Sequence, residues 1–264
     1  MKSSFQANFS LVKFLLIVIF FSWPFQIAYP FLGETYRYLL LISMTMVAVA
    51  TYISGKFVFR DGFQGAGWQL GKPKHYLLSL LLALFLWLFP SIIERGLGIH
   101  QPIREWSTSE FILTFLQSFL ITLIPAFSEE FAWRGYLLPR LFDRYSKRRA
   151  LLLHGLLTWI WHLPVLIFMG WQMNSSSPAI SVLVVLLVSL IPTIFHAIVF
   201  AYIWHASNSL LVSTVYHSSF DEVRDSLENS IGLGALGQNW QMLALVILGA
   251  FILWKVKWKK EEFI

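Results

Sequence analysis

The chain has 264 residues, 57% of them hydrophobic and 13% charged, with a mean hydropathy of +0.64, values outside the range of soluble domains and diagnostic of an integral membrane protein. It contains no cysteine, which excludes disulfides, thiolate metal ligands and a cysteine nucleophile. The net charge of +6 falls in short loops, so it describes a basic membrane-facing rim and not a nucleic-acid surface.

Windows of about 20 apolar residues, enough to cross roughly 30 Å of hydrocarbon, recur along the chain. They predict spans over 11–31, 36–56, 76–97, 110–137, 150–171, 179–203, 209–223 and 239–257. The first, "FLLIVIFFSWPFQIAYPFL", is too long for a signal-peptide core and lacks a small-residue cleavage site, so it reads as a retained span. The fourth carries "AFSEEFAWRGYLLPRL" (126–141) and the fifth carries "TWIWHLP" (158–164). After the fifth, "NSSSP" (174–178) reads as a turn. The seventh, "SLLVSTVYHSSFDEV", is short and polar, and only a protein-lined setting would tolerate it. With no internal repeat and no long linker, residues 1–264 form a single transmembrane domain. The expected fold is all-α and polytopic, about eight transmembrane helices around an intramembrane polar cavity.

Lysine and arginine set the orientation. One side would hold Lys2, Lys13, Lys56, Arg60, Lys72, Lys74, Arg140, Arg144, Lys147, Arg148, Arg149, Lys255, Lys257, Lys259 and Lys260. The other would hold Arg37, Arg95, Arg104 and Arg224, while Arg134 lies inside a span. Both termini are therefore expected in the cytoplasm, and an odd number of spans would spoil the sorting.

Ionisable groups inside spans are costly and usually mark function. Glu129, Glu130, Arg134, His162 and His217 are such groups. At about 1.5 Å of rise per residue, Glu129, His162 and His217 lie about 15, 20 and 14 Å in from the same rim. Glu130 and Arg134, four residues apart, share a helix face and form a pair, whereas Glu129 is rotated about 100° away and stays free. A buried ion pair is the plain reading of Glu130 with Arg134. Packing is the plain reading of His154, His196 and His205. Asp221, four residues after His217, could orient that histidine or be an ordinary helix-end charge beside Glu222. One free carboxylate and two imidazoles allow two chemistries. They could hold a divalent ion, zinc being the candidate at Glu129, His162 and His217, with a fourth position for water. Alternatively, Glu129 and His162 could deprotonate water without metal while His217 stabilises an oxyanion.

"EEFAWR" resembles the EExxxR motif of the CPBP (Abi) family, which includes type II CAAX prenyl endopeptidases and bacteriocin-processing or immunity proteins. "TWIWHLP" resembles that family's second motif and "HSSFD", His217 to Asp221, its third. The resemblance covers about residues 110–225. It implies an eight-helix intramembrane protease in which Glu129 acts with His162 on the attacking water. It assigns His217 and Asp221 to the oxyanion and makes Glu130 with Arg134 a support. The second motif usually has Phe four residues before the histidine; Thr158 stands there, with Trp159 next to it. Family members have been described both as metalloproteases and as metal-free glutamate proteases.

The function expected from the sequence is thus an intramembrane endopeptidase of a bacterial plasma membrane, acting on a membrane-associated peptide or protein. A pheromone or bacteriocin precursor, or a regulatory membrane protein, is favoured over a CAAX substrate. The alternative is a non-enzymatic immunity or scaffold protein of the same fold. The partners are the substrate and the lipid bilayer, with no nucleic acid; the sequence is silent on oligomeric state.

Overall fold

A computed structural model describes residues 9–98, 107–173, 176–231 and 238–258. Lys2, Arg104, Lys259, Lys260 and the first two residues of the expected 174–178 turn lie outside these. The described chain is all-α, with no strand among the described residues. Helix α1 (Leu11–Leu32) starts where the Ser10 hydroxyl accepts the Lys13 amide, and α2 (Tyr38–Ile53) runs into a π-helical turn at Ser54–Val58. Helix α3 (Pro73–Gly96) places Pro73 in its first turn, where the missing N–H costs nothing. Helix α4 (Thr108–Glu130) passes through a second π-helical stretch, Phe131–Leu137, into α5 (Leu138–Arg144). Then follow α6 (Lys147–Trp161), α7 (Leu163–Met173), α8 (Pro178–Ser207), α9 (Leu210–Ile231) and α10 (Gln238–Lys255).

A helix occupies each expected window, but the count of eight spans does not follow from length and apolarity. Five helices meet that measure, or six if α6 and α7 are one broken span. The fifth window is not one straight rod: α6 and α7 meet at 58°. Pro164 explains the break, because its ring lacks an N–H and crowds the carbonyl four residues back. Helix α9 runs on to Ile231 and is polar along much of its length, and the apolar part of α10, Trp240–Lys255, is short.

Packing explains how so polar an α9 is accommodated. It lies against α3, α4 and α8, so Ser213, Thr214, Ser218 and Ser219 face protein. All four are buried. Outward faces carry the apolar side chains instead, such as Phe20, Leu120, Ile124, Ile180 and Ile247. Such an apolar exterior around a polar interior suits a lipid surround. Helix α8 is the second hub, with α6, α7 and α10 packed on it. At the α6 contact the backbones approach closely, since a Cβ on Gly155 would come within 2.7 Å of the Ile194 Cα; the small residue is what permits the approach.

One end of the bundle gathers the positive charge. There Arg140 donates to Asp61 (2.8 Å) and to the Gly62 carbonyl (2.9 Å), and Tyr136 donates to Asp61 (2.9 Å), which fastens the loop after α2 to α5. Arg144 reaches the Phe9 carbonyl at the start of α1. Arg148 lies over the Trp254 ring, and Trp258 packs against Phe142 and His205, so the end of α10 is at the same place. The described chain therefore begins and finishes at one basic end.

Candidate active site

The local sequence shapes the frame before any side chain matters. Pro139 can neither donate to a carbonyl one turn back nor tolerate its closeness, and the helix widens into the π stretch just ahead of it. The wider turn leaves the Trp133 carbonyl accepting from the Leu138 amide and facing His154 Nε2 at 3.2 Å. Because a carbonyl only accepts, His154 donates there. His154, fully buried, is thus a support for the turn that carries Arg134.

Glu130 ends α4 and is fully buried, as is Arg134 apart from 2% of its surface. The expected pair forms, with Arg134 Nη1 donating to Glu130 Oε1 at 3.0 Å. The same oxygen faces His217 Nδ1 at 2.8 Å, so Glu130 ties α4 to α9 as well as to its own turn. The other ring nitrogen of His217, Nε2, faces Asp221 at 3.5 Å. Asp221 in turn faces Arg224 Nη1 at 3.4 Å, and Arg224 donates to Asp225 at 2.6 Å. Phe200 of α8 lies beneath both basic groups. The Arg134 guanidinium sits 4.0 Å from its ring centre, and the His217 ring meets it edge-on at 5.1 Å.

His162 caps α6 at the break, partly buried. Its Nδ1 is 2.8 Å from the Thr158 carbonyl and must donate to it, which leaves Nε2 as the nitrogen turned outward from its own helix. His217, Asp221 and Arg134 are all within electrostatic reach of His162. Glu129 is 3% exposed. It lies within electrostatic reach of His217, Asp221, Glu130 and Arg134, yet among the described residues no donor hydrogen-bonds to it. Its neighbour takes the cation and the imidazole; Glu129 keeps both oxygens. Of the six expected residues, direct contacts join Glu130, Arg134, His217 and Asp221 between α9 and the end of α4 with its π-helical turn, while Glu129 and His162 each lie within electrostatic reach of that group. The two cavities described below lie at the basic end and do not reach these residues.

The zinc candidate does not fit this arrangement. Among the described residues no group of three or more His, Asp or Glu side chains is placed to hold a metal ion. His217 Nδ1 is committed to Glu130 Oε1, and its Nε2 lies 3.5 Å from Asp221 Oδ2. His196, read as a packing residue, is held by Tyr216 OH at 3.1 Å and packs at a tilt against Phe200 and Phe220.

Three contributors carry no motif signal: Phe200, the His154 support and the Arg224 contact to Asp221. Arg224 was legible only as a charge three residues after Asp221, one helical turn away.

Residues 110–223 match the family model described as type II CAAX prenyl endopeptidase Rce1-like. It is the family to which the three motifs point. No curated protein matches the chain.

Proposed function

We propose that the chain is an intramembrane endopeptidase that hydrolyses a peptide bond of a membrane-associated protein or peptide. The observation that supports this reading is that Glu129 and His162 each lie within electrostatic reach of His217, Asp221 and Arg134, within the segment that matches an endopeptidase family. Glu129 is the general base: it has no competing hydrogen bond among the described residues, so its oxygens are available to a water molecule. His162, with Nδ1 held by Thr158, offers Nε2 to the same water and fixes its direction of attack. The water loses its proton to Glu129 and its oxygen adds to the scissile carbonyl carbon. The carbonyl oxygen takes the negative charge. His217 Nε2, only loosely engaged by Asp221 at 3.5 Å, turns its N–H toward that oxyanion. On collapse the C–N bond breaks, and the departing amine takes the proton held by Glu129. Glu130 and Arg134 take no proton; they hold His217 in place from across the helix pair.

The charge sorting supports cytoplasmic termini and cleavage near the cytoplasmic leaflet. The test uses purified protein in phosphatidylcholine nanodiscs and two fluorogenic probes, a farnesylated CAAX peptide and an unprenylated membrane-anchored peptide. Glu129→Gln is isosteric and leaves the brace intact, so it should abolish cleavage of whichever probe the wild type cuts while the unfolding temperature is unchanged. Cleavage at the wild-type rate by that variant refutes the assignment.

A further inference from the structure

The basic end of the bundle has a feature that proteolysis does not use. A cavity of about 630 Å³ opens between the start of α3 and the end of α8, with Lys72, Lys74, His75 and His205 on its wall. An apolar groove of about 370 Å³ runs on from it between α3, α8 and α10, lined by Leu78, Leu82, Ile203, Leu248, Phe251 and Ile252. Lys74, His75, Ala206 and Ser207 line both, so the polar mouth and the apolar groove are one continuous depression.

Three observations define the occupant. The mouth is cationic: Lys72 and Lys74 are exposed and have no carboxylate partner among the described residues. At the seam, His75 Nδ1 is buried without a hydrogen-bond partner among the described residues. A buried polar atom of this kind is costly unless something hydrogen-bonds to it. Beyond the seam the wall is hydrocarbon, so a small hydrated anion would occupy the mouth and leave the groove unmatched. We propose that this depression binds one anionic glycerophospholipid, its phosphodiester held by Lys72, Lys74 and His75 and an acyl chain laid in the groove. Val212, at the groove wall, lies on α9 ahead of His217, so the bound lipid packs against the helix that carries the oxyanion residue.

The experiment is lipid titration of the full chain in detergent, followed by native mass spectrometry, with phosphatidylglycerol, phosphatidylcholine and inorganic phosphate as probes. Phosphatidylglycerol should bind at least tenfold more tightly than phosphatidylcholine. Lys72→Gln with Lys74→Gln should weaken phosphatidylglycerol by roughly fivefold per lysine and leave phosphatidylcholine unchanged. Ala206→Trp, at an exposed position lining both volumes, should remove the bound lipid while the unfolding temperature in detergent alone stays the same. Equal binding of the two lipids overturns the proposal, as does unchanged phosphatidylglycerol affinity in the lysine variant. Displacement of the lipid by inorganic phosphate, or by a farnesylated peptide, reassigns the depression to a free anion or to substrate and equally overturns it. The lysine variant decides the matter even if Ala206→Trp fails to fold, because both lysines lie on the surface.

Discussion

Replacing Glu130 by alanine should be among the most destabilising single changes in the chain, and removing its partner at the same time should cancel most of the damage. Glu130 and Arg134 are 3.0 Å apart, which at an effective dielectric of about 20 is an attraction of about 5 kcal/mol. Neither side chain is more than 2% exposed, so solvent does not screen that attraction as it would on a surface. Glu130→Ala leaves a buried guanidinium without a counter-charge and His217 Nδ1 without an acceptor, at a cost of about 3–5 kcal/mol. Arg134→Ala strands the carboxylate and should cost a similar amount. The double variant Glu130→Leu with Arg134→Met replaces both charges by hydrocarbon of comparable volume, and should lie within about 2 kcal/mol of the wild type. Equilibrium unfolding in mixed micelles measures all three, and peptide cleavage separates stability from activity. The double variant should fold yet cleave poorly, because His217 has lost its anchor. The reasoning fails if the double variant is destabilised by the sum of the two single changes, since the pair would then carry no coupling. It fails equally if Glu130→Ala costs no more than a surface substitution, about 0.5 kcal/mol.

Pro164→Ala should let α6 continue into α7 and swing His162 out of place, lowering kcat on the order of a hundredfold for a shift of about 1 Å. Spin labels at the exposed Leu152 and Met169 would move apart in that variant, and unchanged separation with lost activity would count against the hinge. Arg140→Ala removes bonds to Asp61, Gly62 and the Tyr136 carbonyl, so it should cost about 2–4 kcal/mol and expose the loop after α2 to added protease. Phe200→Leu keeps an apolar side chain but removes the aromatic face beneath Arg134, for a loss of at least about 0.5–2 kcal/mol in unfolding free energy. Because no group of three His, Asp or Glu side chains among the described residues is placed to hold a metal ion, treatment with a chelator should leave the cleavage rate unchanged; loss of activity restored by stoichiometric zinc would refute that reading.

Most of the helices were legible because the lipid requirement is one-dimensional: about 20 apolar residues give a helix whatever its neighbours are. The same measure is blind to direction changes. It read 150–171 as one rod, although Pro164 was in plain view, because a proline inside a membrane helix often kinks it without breaking it. It also read α4 as ending at 137, where the π stretch at Phe131–Leu137 in fact carries the chain on to Arg144. Within the candidate site, whatever depended on helical spacing could be read: Glu130 with Arg134, and His217 with Asp221. The link between them could not, since Glu130 and His217 are 87 residues apart and only the packing of α4 on α9 brings them to 2.8 Å. Asp61 with Arg140 was hidden for the same reason.

The cross-helix link also explains why two adjacent carboxylates are needed. A single glutamate pinned by both a guanidinium and an imidazole is fixed in place and cannot turn toward a water molecule. Glu130 resolves this by accepting from Arg134 and facing His217 with one oxygen, so the two basic groups share one anion. The remaining charge is handled in series along α9. Asp221 faces Arg224, Arg224 binds Asp225, and Asp225 faces Arg37 at 3.6 Å at the connection between α1 and α2. Each charge in that series has an opposite neighbour. Glu129 has none within hydrogen-bond reach among the described residues, although it is 3% exposed. A carboxylate with only a structural role would be expected to have acquired a partner in so charged a neighbourhood, because leaving it bare costs several kcal/mol. Its isolation beside a neighbour that holds both Arg134 and His217 is the arrangement expected of a group whose partner arrives with the reaction.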